Sequence, residues 1–321
     1  MLEGQLHQFK EHRVRPEQLH VPESDRFAVP SQDVSDKELV KLFEGESQVR
    51  AVAAQRVLLR RKYSAETTSL LKEFMADPSK ETRSRVLALY TLSQRGISSK
   101  NSEQVIGHLR PFADDATLAP FVMRALGDMG LDLRTAGKQG AAPADLLIAG
   151  AESADPRTRL EAIVAATRQG LLEVAPAIAQ SLGHSDATLA HVAYRGLAQL
   201  AAHEPALAVF QNTNSSTQQV RGASLALMRI HKKEVIDAML DYLKDEADDL
   251  LCVVACGIED CILPSQQYRA EVENQIARIL PADGLFISFQ SDLHPKGLAL
   301  TQSKVKRVDS PFHDRLCLYR K

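Results

Sequence analysis

The chain has 321 residues, of which 44% are hydrophobic and only 5% aromatic, and it contains no tryptophan. This composition suits helices rich in alanine and leucine better than a β-sandwich, so we expect a mostly α-helical protein. The formal net charge of −2 gives no general attraction to phosphate backbones, so the composition does not favour a protein that binds nucleic acid.

The start of the chain, MLEGQLHQFKEHRVRPEQ, is polar and lacks the apolar core of a signal peptide. No run approaches the roughly 18 apolar residues that a membrane-spanning helix needs, so we expect no membrane span. The four cysteines do not resemble a disulfide framework, which favours a reducing compartment. As written, the sequence predicts a cytoplasmic protein, whereas membership of a longer exported protein would place it in the periplasm or outside the cell.

Residues 1–34 are predicted to form an irregular N-terminal extension, and residues 35–280 are predicted to form pairs of amphipathic helices. The clearest helix is ADPRTRLEAIVAATRQG, in which Asp155 is a good N-cap and Pro156 suits the first helical position. Apolar residues then recur at spacings of three and four, and Gly170 can end the helix in the left-handed conformation. Small residues on its buried face predict packing against another helix.

The same pattern recurs at intervals of roughly 30 to 40 residues, which is the length of a two-helix repeat. Asp115, Asp186 and Ser216 are N-cap candidates at the same offset as Asp155. Six frames share a small residue at position 5 and a larger one at position 9. Their first positions are Val49, Ser84, Leu118, Thr158, Leu189 and Gln219. Position 13 holds Gly96, Gly130 and Gly170 in three copies, a partial stop signal.

A shorter amphipathic segment precedes each of these six helices and is predicted to pair with it. These segments are DKELVKLFEG, TTSLLKEFMA, SEQVIGHLRPF, ADLLIAGAES, VAPAIAQSLG and PALAVFQ. A seventh pair is predicted from KEVIDAMLDYLKDEA and DDLLCVVACGIEDCIL, with SQQYRAEVENQIARIL as a terminal capping helix. The longest interval contains LDLRTAGKQGAAPAD, predicted to be an inserted loop and the most mobile internal segment.

The tail, residues 281–321, abandons the repeat pattern. Its content of glycine, proline and serine predicts an irregular C-terminal extension. Short strands are expected within it at LFISF and LALTQ.

Four of the repeated segments, VRAVAAQRVLLRR, SRVLALYTLSQRG, TRLEAIVAATRQG and LAHVAYRGLAQLA, resemble the HEAT-like repeat of the PBS-lyase type. The resemblance covers Ser35 to Leu263 and implies an all-α fold, an α-solenoid (superhelix) of about seven HEAT-like helix pairs with irregular extensions at both ends. This repeat serves scaffolds, adaptors and lyases alike, so the resemblance implies a fold and leaves the activity open.

The entry segment, from VRPEQLHVPESDRFAVP to VRAVAAQRVLLRR, resembles more narrowly the HEAT-repeat section of large exported bacterial proteins described as membrane-bound dehydrogenases or haem-binding proteins. In those proteins a β-propeller usually precedes the repeats and a c-type cytochrome segment often follows. This sequence contains no CxxCH motif, so the haem site of those proteins corresponds to no residue here. We expect no cofactor.

Arg50, Arg85 and Arg159 occupy position 2 of their repeats, beside the first inward-facing residue. At this position the arginines can pair with a carboxylate or cap of a neighbouring turn, which is a structural role. The alternative is a strip that binds an anion or a protein partner. Ala119, Ala190 and Val220 occupy the same position in other copies and interrupt any such strip, which favours the structural role. For the binding alternative, Arg50, Arg85 and Arg159 are the candidate partner-binding residues.

No other residues form a recognisable reactive site. Cys252 and Cys256 lie four residues apart and Cys261 lies nearby, but their apolar neighbours favour buried packing over metal binding. The histidines, including His191 and His231, form neither HxxxH nor HExxH, and there is no nucleophile elbow or phosphate loop. The sequence therefore predicts no catalytic residue and no metal site.

The leading hypothesis is a non-enzymatic scaffold that binds a protein partner, of unknown identity, through a curved helical-repeat surface. One alternative is a repeat module of a haem-dependent or sugar-type dehydrogenase whose catalytic and cytochrome domains lie elsewhere. A second is a HEAT-like lyase or a repeat protein that binds nucleic acid, although nucleic acid is not favoured by the charge.

Overall fold

The computed structural model describes residues 30, 33–137, 143–230, 232–235 and 237–239, together with the backbone of three short strands near the C-terminus. The chain divides into two compact units, Met1–Phe112 and Ala113–Lys321. Each unit is described by itself below.

The first unit is helical throughout its described residues. Its helices are α1 (Asp36–Lys41), α2 (Gln48–Arg60), α3 (Ala65–Ala76), α4 (Thr82–Ser98) and α5 (Ser102–Leu109), with short 3-10 turns at Leu42–Glu44 and Arg110–Phe112. Helix α1 packs on α2 and α3 packs on α4, while α2 and α4 lie side by side. Leu39, Leu58, Leu71, Leu89 and Leu92 are completely buried between them.

The second unit continues the same alternation of shorter and longer helices. Its helices are α6 (Ala119–Thr135), α7 (Ala144–Ala151), α8 (Pro156–Gln169), α9 (Ala175–Ala179), α10 (Ala187–Gln199), α11 (His203–Phe210) and α12 (Thr217–Leu227), with a 3-10 turn at Leu172–Val174. Helices α6, α8, α10 and α12 contact one another in that order, and α7, α9 and α11 form a second layer. The all-α fold class of stacked HEAT-like helix pairs is therefore confirmed.

Positions 5 and 9 of the repeat form the core, as predicted. In α8 and α10 these residues are Ala162, Ala166, Ala193 and Leu197, and all four are completely buried. The first frame is the exception, because Ala53 is half-buried while its neighbour Ala54 is completely buried. In α2 the inward face is therefore rotated by one residue from the predicted frame.

Three of the four predicted N-caps are present, whereas the N-cap of α6 is Leu118 rather than Asp115. The Asp155 carboxylate accepts hydrogen bonds from the backbone N–H groups of Arg157 and Thr158, and Asp186 caps α10 in the same way. Ser216 forms a capping box with Gln219 at the start of α12. Asp115 accepts from the N–H of Leu118, and so it caps the turn that leads into α6.

The glycine stop signal is confirmed only at Gly170, which has a φ of 72°. Gly96 and Gly130 lie inside α4 and α6. They are explained by close packing instead, because a Cβ on Gly96 would lie 2.9 Å from Val105 Cγ2 and one on Gly130 would overlap the side chain of Gln169. Since α6 continues to Thr135, the first five residues of the predicted inserted loop are helical.

Some predictions fall outside the described residues. These are the N-terminal extension up to residue 29, residues 138–142 of the inserted loop, most of the seventh helix pair, the capping helix, His231 and the three clustered cysteines. Within the described residues, no helix is both long and apolar enough to cross a membrane.

The two predicted strands of the tail are present. Strands β1 (Leu285–Ser288) and β2 (Ala299–Ser303) both pair antiparallel with a third strand, β3 (Cys317–Arg320), which lies between them. The register between β2 and β3 shifts between Leu300 and Gln302. The sequence analysis did not predict β3.

Replacing Asp155 with alanine tests the repeat start signal. We expect Asp155→Ala to lower the free energy of unfolding by about 1 kcal/mol near neutral pH, the usual cost of losing an N-cap. The hydrogen bond from the Thr158 side chain, together with those from the two backbone N–H groups, lowers the pKa of Asp155 from its ordinary value of 3.8. A lowered pKa means that the cap contributes fully above 3.8 and loses its contribution as the pH falls through the folded-state pKa. Urea unfolding of the variant and of an Asp114→Ala control should therefore differ at pH 7 and converge in acid; an equal difference at both pH values would contradict this account.

Candidate functional site

Two of the three arginines singled out at position 2 bind backbone carbonyls. Arg85 is 5% exposed, and its Nε donates to the carbonyl of Met75, near the end of α3, at 2.7 Å. Arg159 is half-buried, and its Nε donates to the carbonyl of Ser153, just beyond α7, at 2.9 Å. Cationic groups near a helix C-terminus satisfy carbonyls that the helix leaves unpaired. Each arginine thus joins the long helix of a pair to the end of the short one.

Arg50 lies in the first turn of α2 and is half-buried. Its backbone N–H donates to Ser47 Oγ at 3.4 Å, which caps the helix. The three arginines lie on separate helices of two units, and the contacts of Arg85 and Arg159 are of the structural kind. Binding of a partner by the three arginines stays a prediction.

A fourth arginine, Arg95 on α4, plays a larger structural part that the sequence analysis missed. It is 2% exposed, and its guanidinium donates to the carbonyls of Leu58 and Lys62, the latter at 2.9 Å. The guanidinium carbon also lies 5.7 Å from the ring centroid of Tyr63. Burial lowers the pKa of Arg95 below its usual value, and the nearby Asp36 carboxylate opposes that effect. Arg95 therefore ties the end of α2 to α4.

Asp36 lies close to the Arg95 guanidinium. It accepts hydrogen bonds from the Arg61 guanidinium and from the Thr67 hydroxyl. Burial by itself would raise the pKa of Asp36, but these hydrogen bonds and the charges of Arg61 and Arg95 outweigh it, so the pKa is lowered. The carboxylate is held ionised as a link between α1, α2 and α3, and nothing in this arrangement resembles a reactive site.

The second unit carries a different cluster of arginines, on the outward sides of α6, α8, α10 and α12. We call this surface the arginine face. Its arginines are all exposed, and they are Arg124, Arg157, Arg168, Arg195, Arg221 and Arg229. Each lies at or near positions 0, 3, 7 or 11 of its repeat, which is the side opposite the buried positions. Two carboxylates that lie among them are Asp128 and Glu161.

Both carboxylates pair with arginines of the neighbouring helix. Arg168 on α8 donates to Asp128 on α6 at 2.8 Å, and Arg124 on α6 lies 3.8 Å from Glu161 on α8. The two pairs cross the same helix contact in opposite directions. Arg124 is still 62% exposed, and Arg168 is 41% exposed. Exposed pairs of this kind add little stability and leave donors of both guanidinium groups available to a partner.

Small residues bring the helices under this face together. A Cβ on Gly127 would lie 2.9 Å from Ala165 Cβ, and a Cβ on Gly196 would lie 2.8 Å from Thr167 Oγ1. In both contacts, position 10 of one helix meets position 8 of the next. Consecutive helices therefore stack with a repeated stagger, which sets the same repeat positions beside one another.

Two arginines of the face lie over aromatic rings. The Arg157 guanidinium is 4.5 Å from the ring centroid of Phe121, and that of Arg229 is 5.5 Å from the ring centroid of Tyr194. Tyr194 Oη is 3.0 Å from His191 Nδ1. Cation–π contacts orient guanidinium groups without using their hydrogen-bond donors. The rings therefore help to hold these two guanidinium groups in place, and Nη1 of Arg229 also donates to the carbonyl of Leu225 at 2.6 Å.

A depression of about 150 Å³ lies on this face between α6 and α8. Its lining residues are Arg124, Gly127, Glu161, Val164, Ala165 and Arg168. Sites for small molecules usually occupy about 300 to 1,000 Å³. This depression has room for a side chain of a bound segment rather than for a cofactor. Among the described residues, no group of three His, Cys, Asp or Glu side chains could hold a metal ion.

These observations establish the architecture. The chain is a helical-repeat protein. Helix pairs with a shared cap, shared buried positions and a repeated stagger are the defining features of such proteins.

Comparison with known proteins adds little to this. No protein-family model and no curated protein matches the chain. The chain is similar to the structure of human deoxyhypusine hydroxylase in complex with glycerol, at 17% identity over 70% of this chain and 84% of that one, with a TM-score of 0.32. It is also similar to the complex of CpcE and CpcF of phycocyanin lyase from Nostoc, at 14% identity over 81% of this chain and 99% of that one, with a TM-score of 0.37.

The arginine face was not predicted, although part of the signal was present. Arg124 and Arg195 share position 7, and Arg168 and Arg229 share position 11. The repeat was recognised from its buried positions and from position 2, whereas these arginines occupy outward positions. Periodicity marked these residues as exposed, but the ordering of α6, α8, α10 and α12 into one layer is what gathers them.

Proposed function

We propose that this protein is a non-enzymatic scaffold that binds a protein partner on the arginine face. The observation that carries the proposal is the set of six exposed arginines on four adjoining helices and the turn that follows α12. The face is locally cationic in a chain of net charge −2, so its charge is concentrated rather than general. Concentrated charge steers a complementary partner and orients it on binding.

The construction of the face supports binding rather than catalysis. Four of its six arginines contact a carboxylate of the neighbouring helix or an aromatic ring, and the helices beneath pack closely through glycine and alanine. Rigid helices present a preorganised surface, which lowers the entropy lost on binding. Arginine is enriched at protein interfaces because its planar guanidinium can both stack and form paired hydrogen bonds with carboxylates.

The test is cross-linking in the native cell with the full chain and two double variants. Arg195→Glu with Arg221→Glu reverses two exposed charges of the face. Arg56→Glu with Arg60→Glu reverses two exposed charges on α2 of the first unit and is the control. We expect the wild type and the control to cross-link the same proteins and the first variant to lose them, with thermal unfolding unchanged in all three. Recovery of the same proteins by all three chains would refute the proposal.

The narrower resemblance to exported dehydrogenases suggests a second setting for the same role. In such a protein, the arginine face would dock a neighbouring domain of a larger assembly. Sequencing the genomic DNA on both sides of the coding region tests this setting. A propeller and a CxxCH segment in the same reading frame would support it, and stop codons on both sides with an independent promoter would contradict it.

A further inference from the structure

The outward residues at position 7 alternate in chemistry along the four helices of the arginine face. They are Arg124 on α6, Val164 on α8, Arg195 on α10 and Leu225 on α12. Both arginines are exposed, and the valine and the leucine are half-buried. Helices α6, α8 and α10 share the stagger described above, and α12 packs beside α10 in the same layer, so we place these four positions in one row across the helix axes. The row presents a cation, an apolar group, a cation and an apolar group in turn.

The spacing of such a row is set by helix packing. Axes of packed helices lie about 8 to 10 Å apart, less where small residues form the contact. A polyproline II segment has three residues per turn and advances about 9 Å per turn. It therefore presents every third side chain on one edge at nearly the spacing of the row. A β-strand would turn alternate side chains away, because its third residue points to the opposite face.

Resting on the proposed function, we infer that the arginine face binds an acidic protein segment in the polyproline II conformation, with carboxylates six residues apart and apolar residues midway between them. The carboxylates contact Arg124 and Arg195, and the apolar side chains contact Val164 and Leu225. The depression beside Val164 accepts the first apolar side chain. Polyproline II segments lose little entropy on binding, because they are extended before they bind.

The charges of the face favour this occupant over a nucleic acid. Asp128 and Glu161 lie within the face, where they would repel a continuous phosphate backbone, while a segment with a carboxylate only at every sixth residue brings fewer negative charges near them. The row alternates cationic and apolar residues, whereas a nucleic acid backbone carries a charge at every nucleotide.

A synthetic peptide of 13 residues tests the inference directly. The peptide has glutamate at its positions 1, 7 and 13, leucine at positions 4 and 10, and proline elsewhere, so it fits the row in either direction. The control peptide has the same composition, with glutamate at 1, 4 and 7 and leucine at 10 and 13. Fluorescence anisotropy with the full chain should show the first peptide binding at least about fivefold more tightly than the control peptide. Equal affinities would refute the predicted spacing.

Variants of the chain then place the binding site. Arg195→Glu and Leu225→Asp should each weaken binding of the first peptide about tenfold or more, while Arg56→Glu should leave it unchanged. Unchanged binding in the first two variants would overturn the inference. Binding of a single-stranded oligonucleotide instead, lost in Arg195→Glu and falling steeply with salt, would replace the peptide by a nucleic acid. If the peptides fail while the cross-linking variants still lose their partners, the scaffold role stands and only the partner chemistry is wrong.

Discussion

Replacing Gly183 with alanine is expected to lower the free energy of unfolding by about 3 kcal/mol. Gly183 has a φ of 72°, in the left-handed region, where an L-residue with a side chain is strained. A Cβ at this position would also lie 2.6 Å from the backbone nitrogen of Gln219 and 2.7 Å from the carbonyl carbon of Gln218. Both atoms belong to the first turn of α12 and cannot rotate away. The strain and the overlap therefore add.

Gly137→Ala is the control for this prediction. Gly137 has a φ of 75°, but among the described residues no atom beyond its chain neighbours lies within 4 Å of the added Cβ. The free energy of unfolding of Gly137→Ala should therefore fall by only about 1 kcal/mol, because only the backbone conformation is strained. Urea unfolding of both variants separates the two effects. An equal loss in both would show that the approach of the turn at Gly183 to α12 contributes nothing to stability.

Gly183→Ala is also expected to weaken binding on the arginine face. The backbone that must move is that of Gln218 and Gln219, and Arg221 and Leu225 follow within the next two turns of the same helix. A displaced α12 changes the spacing of the outward row without altering any of its side chains. Peptide affinity measured on folded Gly183→Ala should fall, and that of Gly137→Ala should not.

Replacing Arg95 with methionine is the second change with a large expected effect. Methionine keeps an unbranched apolar stem but donates no hydrogen bonds, so the carbonyls of Leu58 and Lys62 lose their charged donor. Hydrogen bonds to charged groups contribute about 1.5 to 3 kcal/mol each, and removing the buried charge returns part of that free energy. We expect Arg95→Met to lower the free energy of unfolding by about 3 kcal/mol.

Arg83→Met, on the same helix, is the matched control. Arg83 is exposed and pairs only across the surface with Glu81, at 2.5 Å. Its replacement should change stability by no more than about 0.5 kcal/mol. Chemical denaturation of both variants, followed by circular dichroism, provides the comparison. An Arg95→Met protein as stable as the Arg83→Met protein would show that the link between the end of α2 and α4 is dispensable.

Unlike Gly183→Ala, Arg95→Met is not expected to affect binding on the arginine face. Arg95 lies in the first unit, whereas the arginine face lies in the second. Folded Arg95→Met is therefore expected to bind the test peptide with unchanged affinity.

Much of the fold was predictable from sequence because interactions between residues close in sequence define the repeat. Asp155, Asp186 and Ser216 cap helices within their own next few residues, and Gly170 ends a helix through its own φ. The buried positions also follow from helical periodicity alone. None of these features depends on which other helix lies nearby.

The failed predictions concern residues whose behaviour depends on a distant part of the chain. Gly130 and Gly170 are glycines at the same repeat position. Gly130 nevertheless lies inside α6, where the side chain of Gln169 packs against it. In the sequence, Arg95 is one more polar residue of a helix. In the structure, its guanidinium donates hydrogen bonds to the carbonyls of Leu58 and Lys62. A single sequence records neither contact.

The sequence by itself determined the repeat unit, its caps and its buried side, since each is set by interactions within a few residues. Only the tertiary structure decided that Arg85 and Arg159 bind helix ends while Arg124 and Arg195 share an outward row. In the sequence, both pairs are arginines of similar repeat helices. Their different roles come from contacts between repeats, where the packing of small residues such as Gly127 and Gly196 sets the stagger that aligns one helix with the next.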